Sequence, residues 1–315
     1  MLIITAGLLA GLLLLYVGAE GLVKGASSLA LRAGITPLVV GLTVVAFGTS
    51  APELVISLKA AYVRQSGIAV GNVVGSNIFN IAVILGLSAL LRPIVVRMQL
   101  LFFDMPILIL LSLSTLLLLQ DDLLSRPEAG LLLAGIIVYV AVNVILARRE
   151  KSREIANEFA EGTPHRSGRI GFDLLFVLGG LALLVLGARL FVWAAVDIAR
   201  LWGASEAVIG LTIVAAGTSL PELATSVMAA VRKQDDIAIG NIVGSNVFNL
   251  LAILGAAGLV HPLDSSGLSL MDLGMMILTA LVLLPMLRTR MTLGRWEGAL
   301  LLALYGGYLW WLWPA

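Results

Sequence analysis

The chain has 315 residues, 60% hydrophobic and 12% charged, with a formal net charge of +1, two histidines and no cysteine. Apolar runs long enough to cross a bilayer recur from end to end, so the fold class expected is an all-α polytopic membrane protein. Near-neutral charge with no basic arm leaves no footing for nucleic acid, and the absence of cysteine excludes disulfides and thiolate metal sites.

The first run, "MLIITAGLLAGLLLLYVGAE", has no positive start and is too long for a cleaved leader, so it reads as a retained span over residues 2–23. Nine further spans are expected, over 34–62, 69–91, 98–120, 127–147, 170–198, 205–231, 238–260, 269–287 and 296–313. The one long polar stretch, "ARREKSREIANEFAEGTPHRSGR", reads as a linker. The expected organisation is a five-helix unit over 1–147, a cytoplasmic linker over 148–169 and a second five-helix unit over 170–315. Joints after odd-numbered spans hold most of the Lys and Arg, among them Lys24, Arg32, Arg92, Arg97, Lys151, Arg232, Lys233 and Arg288, whereas the opposite joints hold only Arg64, Arg126 and Arg200. The positive-inside rule therefore makes the odd joints cytoplasmic and places both termini outside the cell membrane, with Trp310, Trp311 and Trp313 in an outer aromatic belt.

Residues 41–86 align without a gap on 210–255 and are identical at 28 of 46 positions. This is an internal duplication at an offset of 169, weakly extended upstream by Gly18-Ala19 and Gly187-Ala188. Because each unit has an odd number of spans, the second enters the membrane in the opposite sense. Inverted repeats of this kind build many secondary transporters.

Each copy carries a broken-helix motif, "GTSAPEL" at 48–54 and "GTSLPEL" at 217–223. Pro52 and Pro221 lack an amide hydrogen, so the carbonyls of Gly48 and Gly217 are expected bare at mid-membrane depth. Such oxygens are tolerable in lipid only when buried in protein, wetted or bound to a cation. Glu53 and Glu222 add negative charge and hard oxygen donors in the same place. Thr49, Glu53 and Ser57 share one helix face, as do Thr218, Glu222 and Ser226. In the following spans Asn72, Ser76 and Asn80, and Asn241, Ser245 and Asn249, form matching polar stripes. Gly71 and Gly75, with Gly240 and Gly244, are expected to let these helices approach closely. A structural alternative pairs one glutamate with Lys59 or Arg189, but recurrence in both copies favours a shared oxygen-lined site.

With these residues in view the chain resembles the sodium/calcium exchanger family of cation/calcium antiporters, whose two α-repeats match "GTSxPEL" and "GNxVGSNxFN". The resemblance implies a central calcium site of Glu53 and Glu222 with the backbone carbonyls of Thr49 and Thr218. It implies flanking sodium sites at Ala46, Ser50, Ser76, Ala215, Ser219 and Ser245, with Asn80 and Asn249 as the remaining central pair. Many relatives carry an aspartate at one of those two positions; this chain has Asn at both, leaving two formal charges at the centre. The function implied is exchange of Ca2+ for Na+ by alternating access, with both ions as transported substrates, no cofactor, no obligatory protein partner and no enzymatic activity. Coupling to protons or another divalent cation on the same fold remains the leading alternative. An intramembrane enzyme finds no support, since His165 and His261 fall in the linker and at a span end and no "GxGD" or "HExxH" pattern occurs. A passive channel fits two occluded glutamates poorly.

Overall fold

A computed structural model describes residues 2–149, 170–202 and 215–312. The helices, in chain order, are α1 (Leu2–Ala33), α2 (Pro37–Thr49), α3 (Ala51–Tyr62), α4 (Ser66–Leu91), α5 (Leu100–Leu118), α6 (Arg126–Arg149), α7 (Ile170–Leu201), α8 (Ala215–Thr218), α9 (Leu220–Val231), α10 (Asp235–Val260), α11 (Leu270–Arg288) and α12 (Arg295–Leu312). The linker expected over 148–169 lies outside the described residues from residue 150 onward, as do Trp313, His165 and the first part of the seventh expected span. The first two linker residues, 148 and 149, instead continue α6.

Two short antiparallel ladders join the loops. β1 (Ile94–Val95) pairs with β4 (Thr292–Leu293), and β2 (Leu123–Leu124) with β3 (Leu263–Asp264). Ion pairs Arg92–Asp235 and Arg97–Asp236 reinforce the first of these faces.

Among the described residues seven helices are long and apolar enough to cross a membrane, or eight if α2 and α3, bent by 48°, form one broken span. The fold is thus all-helical and polytopic, while the apolar-span count falls short of the ten expected from hydropathy. One cause is local: α9 has only 12 residues, and the chain preceding α8 is not described.

Another expectation is corrected at α1, which continues to residue 33 rather than ending at 23. Lys24 and Arg32 lie on the helix and not in a joint. Both charges are met there, Lys24 Nζ by the Phe176 ring at 5.0 Å and Arg32 by Asp173, so the drop in hydropathy does not end the helix. At 32 residues, α1 and α7 are each about 48 Å long, well beyond a hydrocarbon core of about 30 Å, and must tilt. Glycine lets them touch backbone to backbone: a methyl added at Gly18 would lie 2.8 Å from the Gly180 carbonyl, and one at Gly180 would lie 2.7 Å from that of Gly18.

Burial locates the core. The apolar window of α10 is 94% buried and that of α4 72%, whereas the other five qualifying helices reach only 28–44%. The two helices carrying the amide stripes are therefore the centre of the molecule, and the other five qualifying helices leave more of their surface exposed around them. α10 achieves this through small residues. A methyl at Gly240 would come within 2.9 Å of the Leu38 carbonyl, and one at Gly244 within 2.6 Å of the Leu42 carbonyl, so α2 lies directly on it. The close approach expected at Gly71 and Gly75 is not seen among the described residues, none of which would lie within 4 Å of a methyl added there; the residues at the corresponding offset, 207–214, are outside the described set.

Candidate cation site

Proline sets the break. It fits the first turn of a helix, where its missing amide costs nothing, and Pro52 and Pro221 are the second residues of α3 and α9. The residue before each new helix leaves helical geometry in the same way, Ser50 at φ −79°, ψ 5° and Ser219 at φ −87°, ψ 9°. The Ser50 amide goes to the Ala46 carbonyl at 3.0 Å, and Pro52 has no amide to give the carbonyl of Gly48, as expected. Each break places a helix C-terminus beside a helix N-terminus. The first favours a cation; the second favours the carboxylate of Glu53 or Glu222 in its opening turn.

The two motifs meet crosswise. Ser50 Oγ donates to Glu222 Oε1 at 2.9 Å and Ser219 Oγ donates to Glu53 Oε1 at 3.0 Å, so each carboxylate is oriented by the other copy's serine. Thr218 also lies beside the Glu53 carboxylate and Thr49 beside that of Glu222. Both glutamates are at most 2% exposed. Neither is paired with Lys59 or Arg189, which closes that alternative. Amides brace the breaks from α4 and α10. Asn72 Nδ2 donates to Ser57 Oγ at 2.9 Å and to the Glu53 carbonyl at 3.2 Å; Asn241 Nδ2 repeats this with Ser226 Oγ at 2.9 Å and the Glu222 carbonyl at 3.4 Å. Thr49 Oγ1 donates to Asn241 Oδ1 at 3.0 Å.

A second crossed set, formed by four amides, lies between α4 and α10. Asn80 Nδ2 donates to Asn246 Oδ1 and Asn249 Nδ2 to Asn77 Oδ1, both at 2.9 Å, while Asn77 and Asn246 each donate to the other's backbone carbonyl. Both Asn80 and Asn249 open a π-helical turn, Asn80–Leu85 and Asn249–Ile253. Such wide turns are frequent at functional sites and re-aim the side chains that flank them.

Four acceptor oxygens are left over: Glu53 Oε2, Glu222 Oε2, Asn80 Oδ1 and Asn249 Oδ1 are all buried and none has a hydrogen-bond partner. Each such group costs about 1–3 kcal/mol, and two buried carboxylates repel as well. A hard cation accepted by all four removes both penalties. With its proton given to a carboxylate, each serine hydroxyl still has lone pairs for a cation. No group of three or more His, Cys, Asp or Glu occurs among the described residues, so the formal negative charge here comes from the two glutamates.

The other expected positions are nearby in different states. Ser76 is buried, and Ser245 is buried with its Oγ unpartnered. The Ala46 carbonyl takes the Ser50 amide at 3.0 Å and lies 3.3 Å from the Thr49 hydroxyl, whose one hydrogen has a nearer acceptor in Asn241 Oδ1. Ala215 opens α8, and its side chain is not among those described. Asn77 and Asn246 were not singled out from the sequence. Their signal was the extra amide of "GSNxFN", three residues before Asn80 and Asn249 in a membrane helix.

The sodium/calcium exchanger protein family profile matches residues 3–145 and 172–313. Inner membrane protein YrbG of Escherichia coli (strain K12) is 39% identical over 99% of this chain and 96% of its own length. Sodium/calcium exchanger MaX1 of Methanosarcina acetivorans is 34% identical over 96% of each. Among solved structures, the sodium-calcium exchanger NCX_Mj soaked without Na+ and Ca2+ superposes with a TM-score of 0.85 at 32% identity, covering 99% of both chains. The crossed motifs, the helical architecture and these full-length similarities agree: the chain belongs to the sodium/calcium exchanger protein family.

Proposed function

We propose that this chain is a secondary antiporter that exchanges Ca2+ for Na+ across the cell membrane by alternating access. The observation that carries the reading is the group of four buried, unpartnered oxygens on Glu53, Glu222, Asn80 and Asn249, contributed equally by the two sequence copies. Ca2+ takes six to eight oxygens, about what these four and the carbonyls of Thr49 and Thr218 can supply. Ser50, Ser76, Ser219 and Ser245, with the carbonyls of Ala46 and Ala215, form the flanking sodium positions. The Ala46 carbonyl takes the Ser50 amide and, having two lone pairs, keeps one for sodium.

In this reading ten helices form two inverted five-helix units, 1–147 and 170–315, joined by a cytoplasmic linker over 148–169, with both termini outside. The recurrence of turn geometry supports it: Arg64 and Lys233, at the same offset, adopt φ 62° and 60°. Each follows a helix whose next amide reaches back five residues, Gln65 to Ala60 and Gln234 to Ala229, both at 2.8 Å. The test is calcium flux into proteoliposomes of the purified protein with sodium, potassium and proton gradients imposed one at a time. The sodium gradient alone drives calcium. Flux driven by protons and indifferent to sodium would replace this reading with the proton-coupled one.

A further inference from the structure

Offset matching pairs Glu20 on α1 with Arg189 on α7. Their circumstances differ. Glu20 is neutralised by Arg232, whereas Arg189, exposed on the apolar helix α7, has no ion pair and no hydrogen bond among the described residues. An unpaired guanidinium on an apolar surface marks a site when something of opposite charge can reach it.

Arg189 lines a cavity of about 490 Å³, within the range of about 300–1,000 Å³ typical of small-molecule sites. The walls are otherwise apolar. The floor is made by Pro52 and by Gly217 and Thr218, the broken turns of both motifs, and α7 is seated so tightly there that a methyl on Gly217 would lie 2.4 Å from Val192. On its outer side the lining residues Val55 and Trp193 are 59% and 44% exposed, which marks an open flank toward the lipid-facing surface.

The cavity backs onto the proposed cation site at Pro52 and Thr218, but its mouth does not suit a cation. A fixed positive charge at an apolar mouth repels Na+ and Ca2+. Trp193, one helical turn beyond Arg189 and on the same face, is the residue type that settles at headgroup depth, and an arginine one turn below can extend its stem toward that level. A planar guanidinium binds phosphate through two parallel hydrogen bonds. An apolar chamber, a phosphate-binding fork at headgroup reach and an open flank to lipid together describe one class of occupant. We propose that this cavity binds a single anionic phospholipid, its phosphate on Arg189 and an acyl chain lying over Pro52 and Thr218.

The experiment reads binding directly and does not depend on the transported ions. Trp193 is kept as the only tryptophan, with Trp202, Trp296, Trp310, Trp311 and Trp313 changed to Phe, and the protein is reconstituted in phosphatidylcholine vesicles. Phosphatidylglycerol with brominated chains is titrated in, and brominated phosphatidylcholine serves as the comparison. Quenching of Trp193 by the anionic lipid saturates, with its midpoint at about a tenfold lower mole fraction than for the neutral lipid. Arg189→Gln moves the anionic curve onto the neutral one, and Arg189→Lys, which keeps charge but loses the fork, lies between. Millimolar inorganic phosphate leaves the quenching unchanged. Coincident curves in the parent protein, or an anionic preference that survives Arg189→Gln, would overturn the proposal, as would displacement by free phosphate. If Arg189→Gln does not fold, the parent and Arg189→Lys titrations decide alone.

Discussion

Glu53 and Glu222 each give one carboxylate oxygen to a serine of the opposite motif and leave the other unpartnered, the one the proposed cation would take. Glu53→Gln or Glu222→Gln removes one of two central charges, so each variant should express normally and show no calcium exchange in vesicle flux; transport near the parent rate in either would remove the shared-site reading. Asn77 and Asn246 act one step back, by fixing the amides of Asn249 and Asn80. Asn77→Ala strands the amide of Asn249, at a cost of about 1.4 kcal/mol or more, and should raise the half-saturating calcium concentration about tenfold. Adding Asn246→Ala should cost less than twice as much, since both belong to one hydrogen-bonded set; strictly additive losses would argue against it. The carboxylates were legible in the sequence because charge and proline are conspicuous in an apolar span. The supporting amides were not: Asn77 looks like any polar residue of a stripe until the facing helix is known to bring Asn249 to 2.9 Å.

Elements carry different information. The duplicated blocks pointed to a shared site between the two copies, and α4 and α10, which carry their amide stripes, are the most buried of the qualifying helices. Hydropathy failed at α1 because partners on another helix, Asp173 and Phe176, neutralise its charges, and no local window contains those partners. It could not show the π-helical turns at Asn80 and Asn249 either, because those depend on how two buried helices pack and have no residue signature of their own. Glycine offers a sharp test at this scale. Gly244→Ala drives a methyl to 2.6 Å from the Leu42 carbonyl, and backbone cannot yield as a side chain would, so α2 must lift away from α10. A lower thermal midpoint and loss of exchange are expected. Gly179→Ala, with nothing within 4 Å, should leave exchange unchanged and stabilise α7 by about 0.5–1 kcal/mol through helix propensity alone. Equal effects from the two would discount the close approach.

At the scale of the whole molecule, charge balance predicts that exchange is voltage-sensitive. Two carboxylates would cancel one Ca2+, whereas three Na+ would leave the centre at +1, and moving that charge is worth about 2.3 kcal/mol per 100 mV. With amides at 80 and 249 the centre has no further acid to balance a K+. Sodium-driven calcium flux in clamped vesicles should therefore need no potassium and should accelerate under an inside-negative potential when sodium enters; indifference to the clamp would force two sodium ions per calcium. Orientation is testable because the chain has no native cysteine. Cysteines placed at Ser152 and Ser167 should react only from the cytoplasm and one at Pro314 only from outside. The two small ladders bear on the same question through parity. Strands that pair must lie on one side of the bilayer, so the chain between them crosses an even number of times. Between β2 and β3 stand α6, α7 and α10, and between β1 and β4 stand these three with α5 and α11. Three and five are both odd. One crossing is missing from each path, and both paths share a single stretch that can supply it, the chain between α7 and α10 that carries Glu222. The proposed ten-helix reading supplies that crossing with the segment that carries Glu222, and four main-chain hydrogen-bonded residues in each ladder are what its parity answers to.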